Sequence, residues 1–128
     1  MSQNVKIETN YIHIPFDRLA ACVTAVTKQD ASGLTAQQAF IEMCHKYGCD
    51  LDIRYKEKVI VVGNPHMMFS YTEYINKFFP ALAPFVSHEW ANIVTLDYDN
   101  DEAMTYNFKD GVLVPDLDSV CPIDELDG

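Results

Sequence analysis

A chain of 128 residues with 48% hydrophobic and 12% aromatic residues is the size of one domain and apolar enough to fold around a core, which excludes an intrinsically disordered protein. Its formal net charge of −10 disfavours direct sequence-specific nucleic-acid binding, because neutralising phosphates needs a basic stripe that this chain lacks. No stretch approaches the ~18 consecutive apolar residues of a membrane helix, and the opening Met1 to Lys6 lacks the basic and apolar regions of a secretory signal, so the expectation is a soluble, cytoplasmic protein.

Residues 5–14 start with apolar/polar alternation and β-branched side chains, predicting a first strand that Pro15 ends. Proline suits the first position of a helix, and Phe16, Leu19, Ala20, Val23 and Val26 recur at helical spacing, so residues 15–28 read as the first helix. Lys28 to Gly33 is a polar connection. Thr35 followed by Gln38 has the spacing of a capping box, in which hydroxyl and amide each satisfy an orphaned backbone donor, and a second helix starts there. Ala36, Ala39, Phe40, Met43, Cys44 and Tyr47 form its apolar stripe, and Gly48 sits where a left-handed cap favours glycine.

Asp50 to Tyr55 alternates, Lys56-Glu57-Lys58 turns, and Val59 to Val62 is wholly apolar, which predicts a hairpin whose second strand is covered on both faces and central. Ser70 with Glu73 forms another capping box, opening a third helix rich in aromatics that Pro80 should kink or restart and Pro84 should finish. Trp90 to Tyr98, a turn at Asp99-Asn100-Asp101, the alternation through Phe108, Asp110-Gly111 and Val112-Leu113-Val114 predict a three-strand meander. The order β-α-α-β-β-α-β-β-β makes a single α+β domain, residues 1–114, with helices on one face of a largely antiparallel sheet and residues 115–128 as a loosely held acidic tail.

Charge is unevenly distributed along this chain. Residues 1–88 hold eight acids and eight bases and sum to zero; residues 89–128 hold eleven acids and only Lys109, and sum to −10. Like charges gathered together raise the free energy of the compact state, so a segregated field points to a cationic partner. If Asp97, Asp99 and Asp101 lie on an extended segment they recur every ~6.7 Å on one side, about two steps of the ~3.4 Å per-strand rise of DNA. Carboxylates so spaced replace phosphates against lysine and arginine.

The expected partner-binding residues are therefore Asp97, Asp99, Asp101, Glu102, Asp110, Asp116 and Asp118, and the expected partner is a basic nucleic-acid-binding protein. In size, charge and lack of a catalytic motif the chain resembles the small acidic proteins with which phages and mobile elements block restriction and CRISPR enzymes, which implies a non-catalytic DNA-mimic inhibitor. The same features suit an immunity protein against a basic toxin.

Other chemistries fit less well. Cys44-His45 with Cys49 lacks the second ligand pair of a structural zinc site. Asp97 to Glu102 opens like a calcium loop, but Glu102 stands where the loop's glycine belongs and Phe108 where its bidentate glutamate belongs, leaving at most weak calcium binding. No nucleophile elbow or phosphate-cradling glycine loop is present, so neither enzyme activity nor a cofactor is expected. The alternative is a small ligand-binding or enzymatic domain using a cleft around His66, with Cys49 or Cys22 nearby.

Overall fold

The computed structural model describes residues 4–30 and 34–127. Residues 1–3 of the opening segment, residues 31–33 of the polar connection and Gly128 lie outside the described residues. The chain forms a single α+β domain with two antiparallel sheets, ordered β1-β5-β6-β7 and β2-β4-β3. Among the described residues the strands are β1 (Val5–Asn10), β2 (His13–Pro15), β3 (Cys49–Arg54), β4 (Val59–Pro65), β5 (Asn92–Asp97), β6 (Glu102–Lys109) and β7 (Val112–Cys121).

The first strand departs from expectation. Instead of running from residue 5 to 14 it breaks at Tyr11, whose φ of 56° lies in the left-handed region, and the two halves join different sheets. β1 pairs with β5 and β2 pairs with β4, so one bent segment ties both sheets into one body. Ile7, Ile12 and Ile14, on either side of the bend, are all buried.

Pro15 closes β2 rather than opening a helix; a 3-10 turn, Phe16–Arg18, follows it and leads into α1 (Leu19–Thr27). α2 (Ala36–Lys46) starts at the expected capping box, with the Gln38 backbone N–H donating to Thr35 Oγ1 at 3.1 Å and the Thr35 backbone N–H donating to Gln38 Oε1 at 3.2 Å. The turn after it needs Gly48, at φ 71°, where a Cβ would stand 2.6 Å from Met68 Cγ. β3 and β4 form the predicted hairpin, with β4 central in its sheet.

The third helix runs in three segments: α3 (Tyr71–Glu73), a π-helical turn (Tyr74–Phe78) and α4 (Phe79–Leu82). The restart expected at Pro80 takes this form. Phe79 N–H donates to the Tyr74 carbonyl five residues back, and this wider turn relieves the clash a proline ring makes with the carbonyl one turn earlier. Tyr74, Phe78 and Phe79 are fully buried and pack with Phe40, Ile60 and Ile93 in one core. Each such side chain contributes about 1.5–3 kcal/mol by leaving water. The buried Tyr74 hydroxyl is satisfied, donating to the Tyr47 carbonyl at 2.7 Å and accepting from Met68 N–H at 2.9 Å.

β5 begins two residues after Trp90, leaving Trp90 exposed, and its core side is the one carrying Ile93 and Thr95. The largest departure is the expected acidic tail. β7 continues through Pro115 to Cys121, and a 3-10 turn (Ile123–Asp127) then packs against β6. Proline is tolerated because β7 is the edge of its sheet. Asp116 pairs with Thr105 and Cys121 with Ala103, so β7 takes five steps where β6 takes two and bulges by three residues. Ser119 holds the bulge: its hydroxyl donates to the Asp116 carbonyl at 2.5 Å and accepts from Thr105 N–H at 2.8 Å.

No helix among the described residues is long and apolar enough to cross a membrane.

Candidate cation-binding face

The β5–β6 hairpin gathers four of the seven expected acids at one end of the four-stranded sheet. Asp97 closes β5, Asp99 and Asp101 lie in the turn, and Glu102 opens β6. They do not form the extended ladder that the spacing suggested. Aspartate competes well for local backbone donors, and the Asp97 carboxylate is turned inward: Oδ1 accepts from Asp99 N–H at 3.1 Å and Asn100 N–H at 3.3 Å, while Oδ2 accepts from Asn100 Nδ2 at 2.7 Å. Asp101 takes a left-handed φ of 48°. Asp99 Oδ2 accepts from Asn4 N–H at 3.2 Å, pinning the turn to the start of β1. The result is a compact acidic knob.

Asp97 and Glu102 pair directly across the ladder, and Val5 pairs with Asp97 from the other side. With Thr95 and Met104 two pairs further in, and Tyr71 from α3, they line a cavity of about 150 Å³. Tyr71 is positioned by its hydroxyl, 3.2 Å from that of Tyr106. Burial, and then the Tyr71 hydrogen bond, push the Tyr106 phenol well above its usual range, so it stays neutral. The cavity is therefore lined by Val5, Met104 and the Tyr71 ring together with two carboxylates, of which Asp97 is held by its turn donors and the Glu102 carboxylate makes no hydrogen bond or salt bridge among the described residues, a lining suited to the end of one cationic side chain.

The remaining expected residues are elsewhere. Asp116 and Asp118 sit on the β7 bulge, where Asp116 Oδ1 accepts from Asp118 N–H at 3.1 Å and Leu117 stands 75% exposed beside them. Asp110, at φ 53° in the β6–β7 turn, lies at the opposite end of β6. Asp124 and Glu125 were not singled out from sequence, yet both are exposed on the 3-10 turn that packs against β6. Their signal was the acid run itself, masked by its reading as an unstructured tail.

Ion pairing follows the same division as the sequence charge. Among the described residues the salt bridges are Arg54 with Asp52 and Glu57, His66 with Asp50, and Lys77 with Glu73, none using an acid beyond residue 88. Lys6, which pairs with Leu96 across β1 and β5, places its ammonium over the Tyr98 ring at 5.8 Å.

The alternative cleft is also visible. His66 lines an open groove of about 560 Å³ with Asn4, Lys6, Glu8 and Asn64, and its Nε2 lies 3.2 Å from Asp50 Oδ1. No cysteine lines that groove. Burial pushes the Cys22 and Cys49 thiols up to about 12 and Cys44 well above its usual range, so all three stay protonated and unreactive near neutral pH. Among the described residues no three His, Cys, Asp or Glu side chains converge as a metal site would need. Asp97 spends its oxygens on turn donors rather than leaving them open to calcium. In comparisons with known proteins, no family model, no curated protein and no solved structure matches the chain.

Proposed function

We propose that the protein is a non-catalytic binding protein that engages a basic, nucleic-acid-binding partner through the acidic end of its four-stranded sheet. The observation that carries this reading is the gathering of Asp97, Asp99, Asp101 and Glu102 on one hairpin end without a salt bridge among the described residues. Asp97 is held by its turn donors, but its charge stands directly opposite Glu102, and like charges opposed on a ladder are destabilising, which a cation bound at Glu102, Asp99 and Asp101 relieves. Such a face speeds encounter with a basic protein and selects against acidic ones. A basic enzyme blocked by a phage or mobile-element inhibitor, or a basic toxin blocked by its immunity protein, presents the lysines and arginines this face suits.

The test is a pull-down from cells of the source organism at low and high salt, with two baits of equal charge. One carries Asp99→Asn, Asp101→Asn and Glu102→Gln; the other carries Asp17→Asn, Asp30→Asn and Glu42→Gln, three exposed acids outside the face. A basic nucleic-acid-binding protein held at low salt by the wild type and the second bait, but not by the first, supports the reading. Equal retention by both baits overturns it.

The His66–Asp50 pair in the wider groove favours one other reading, a small ligand-binding domain. An activity or ligand affinity lost in His66→Ala but retained by the acidic-face variant would select it.

A further inference from the structure

At the opposite end of β5 the chain exposes a second organised cluster. Trp90, the single tryptophan, is 67% exposed and Tyr11 is 51% exposed. The Tyr11 ring stacks on His88 with centroids 4.6 Å apart and planes 17° apart, and meets Trp90 edge-on at 6.4 Å. His13 lies behind, 4.9 Å from His88.

The backbone that carries these rings is fixed by hydrogen bonds, and the rings themselves meet one another and His88. Trp90 N–H donates to His88 Nδ1 at 3.1 Å, Asn92 Nδ2 donates to the Trp90 carbonyl at 3.0 Å, and Asn10 Nδ2 donates to Asn92 Oδ1 at 3.0 Å. Tyr11 is presented by its left-handed backbone, a conformation that costs a non-glycine residue roughly 1–3 kcal/mol and that recurs at functional sites. The bend is fixed by the pairing of β1 and β2 with different sheets and by the buried Ile12 beside it, and it leaves half of the Tyr11 side chain in water. Ordered, exposed tyrosine and tryptophan are the side chains that anchor protein interfaces.

The charges around the cluster decide what it can hold. Glu89 precedes Trp90 in the chain, and Asp110 and Lys109 stand near the β6–β7 turn at the same end of the sheet. Arg54, which acts on His13, is already paired with Asp52 and Glu57. On a protein of net charge −10, with Glu89 and Asp110 against Lys109 at this end of the sheet, the exposed indole and the Tyr11 face turned away from His88 complement a guanidinium, which stacks on aromatic rings better than an ammonium does. Five steps of β5 separate Asn92 from Asp97, about 17 Å, a span within one interface of ordinary size.

We propose that Trp90 and Tyr11 form a docking surface for an arginine side chain of the basic partner; this rests on the reading above and adds a second, aromatic contact to the acidic one. The test uses hexaarginine and hexalysine peptides titrated calorimetrically at low salt, with Trp90 fluorescence as a second readout in the wild type. Hexaarginine should quench Trp90 and bind more tightly than hexalysine. Trp90→Leu and Tyr11→Leu should each weaken hexaarginine about two- to fivefold and leave hexalysine unchanged. Trp90→Phe, which keeps a ring face, should retain most of the arginine preference. If the Leu variants bind both peptides as the wild type does, or lose both equally, the arginine surface is overturned. The Asp99→Asn, Asp101→Asn, Glu102→Gln variant separates the two ideas: it should weaken both peptides alike, and failure to do so counts against the acidic face without touching the arginine preference.

Discussion

Asp97 and Glu102 stand directly opposite one another across the β5–β6 ladder, and both line one small cavity. Opposed like charges cost a sheet roughly 0.2–1 kcal/mol. Glu102→Gln keeps the side-chain shape and removes the repulsion, so it should raise the urea midpoint while weakening binding of the basic partner. A variant both less stable and weaker in binding would show that the charge holds the hairpin together instead.

Asp97 carries two tasks that substitution can separate. Its carboxylate accepts two backbone N–H groups in the turn, and an asparagine oxygen can accept them equally well. Asp97→Asn should therefore keep stability within about 0.5 kcal/mol, whereas Asp97→Ala should cost about 0.5–2 kcal/mol, as the loss of a comparable backbone cap does. Denaturation of the two variants side by side checks this, and equal losses would remove the turn role assigned to Asp97.

Much of the fold was legible because local chemistry and global position agree. Thr35 and Gln38 make the capping box their spacing requires, and Lys56 to Lys58 turns between the two expected strands, although β4 runs three residues past Val62, through Gly63 and Asn64 to Pro65. Tyr11 was not legible: no glycine, proline or asparagine marks the bend, and the left-handed backbone is set by two sheets pulling β1 and β2 apart. The order of β7 beyond Pro115 was hidden because its acids look like a solvated tail, while the groups that fix it, Ser119 and Thr105, lie fourteen residues apart. For the acidic site, sequence proximity located the cluster, but a strand-like spacing was assumed where aspartates were capping a turn. Tyr71 and Val5 enter the cavity from distant segments, a convergence with no local signal.

The thiols offer a check on the core. Cys22, Cys44 and Cys49 are buried, whereas Cys121 at the end of β7 is partly accessible. Thiolate is the reactive form, and burial holds Cys22 and Cys49 protonated with values pushed up to about 12. A colorimetric thiol reagent at pH 8 should modify Cys121 first and the other three only on unfolding, and Cys121→Ser should remove the fast phase. Rapid modification of more than one thiol would mean that the helices do not cover the core as described.

His13 gives stability a pH dependence of defined sign. Its imidazole is held below the ordinary 6.5, first by burial and then by neighbouring His88 and Arg54, with Glu57 and Asp52 opposing. The native state thus binds fewer protons at this site than the unfolded chain between the two values, and stability rises with pH across that interval. The contribution is complete above 6.5 and is lost as pH falls through the lower folded value. Urea midpoints between pH 7.5 and pH 5 should fall more steeply in the wild type than in His13→Gln, which cannot take up the proton. Parallel slopes would show that His13 titrates alike in both states, and that the β2 edge beside Tyr11 and His88 is more open to water than its packing indicates.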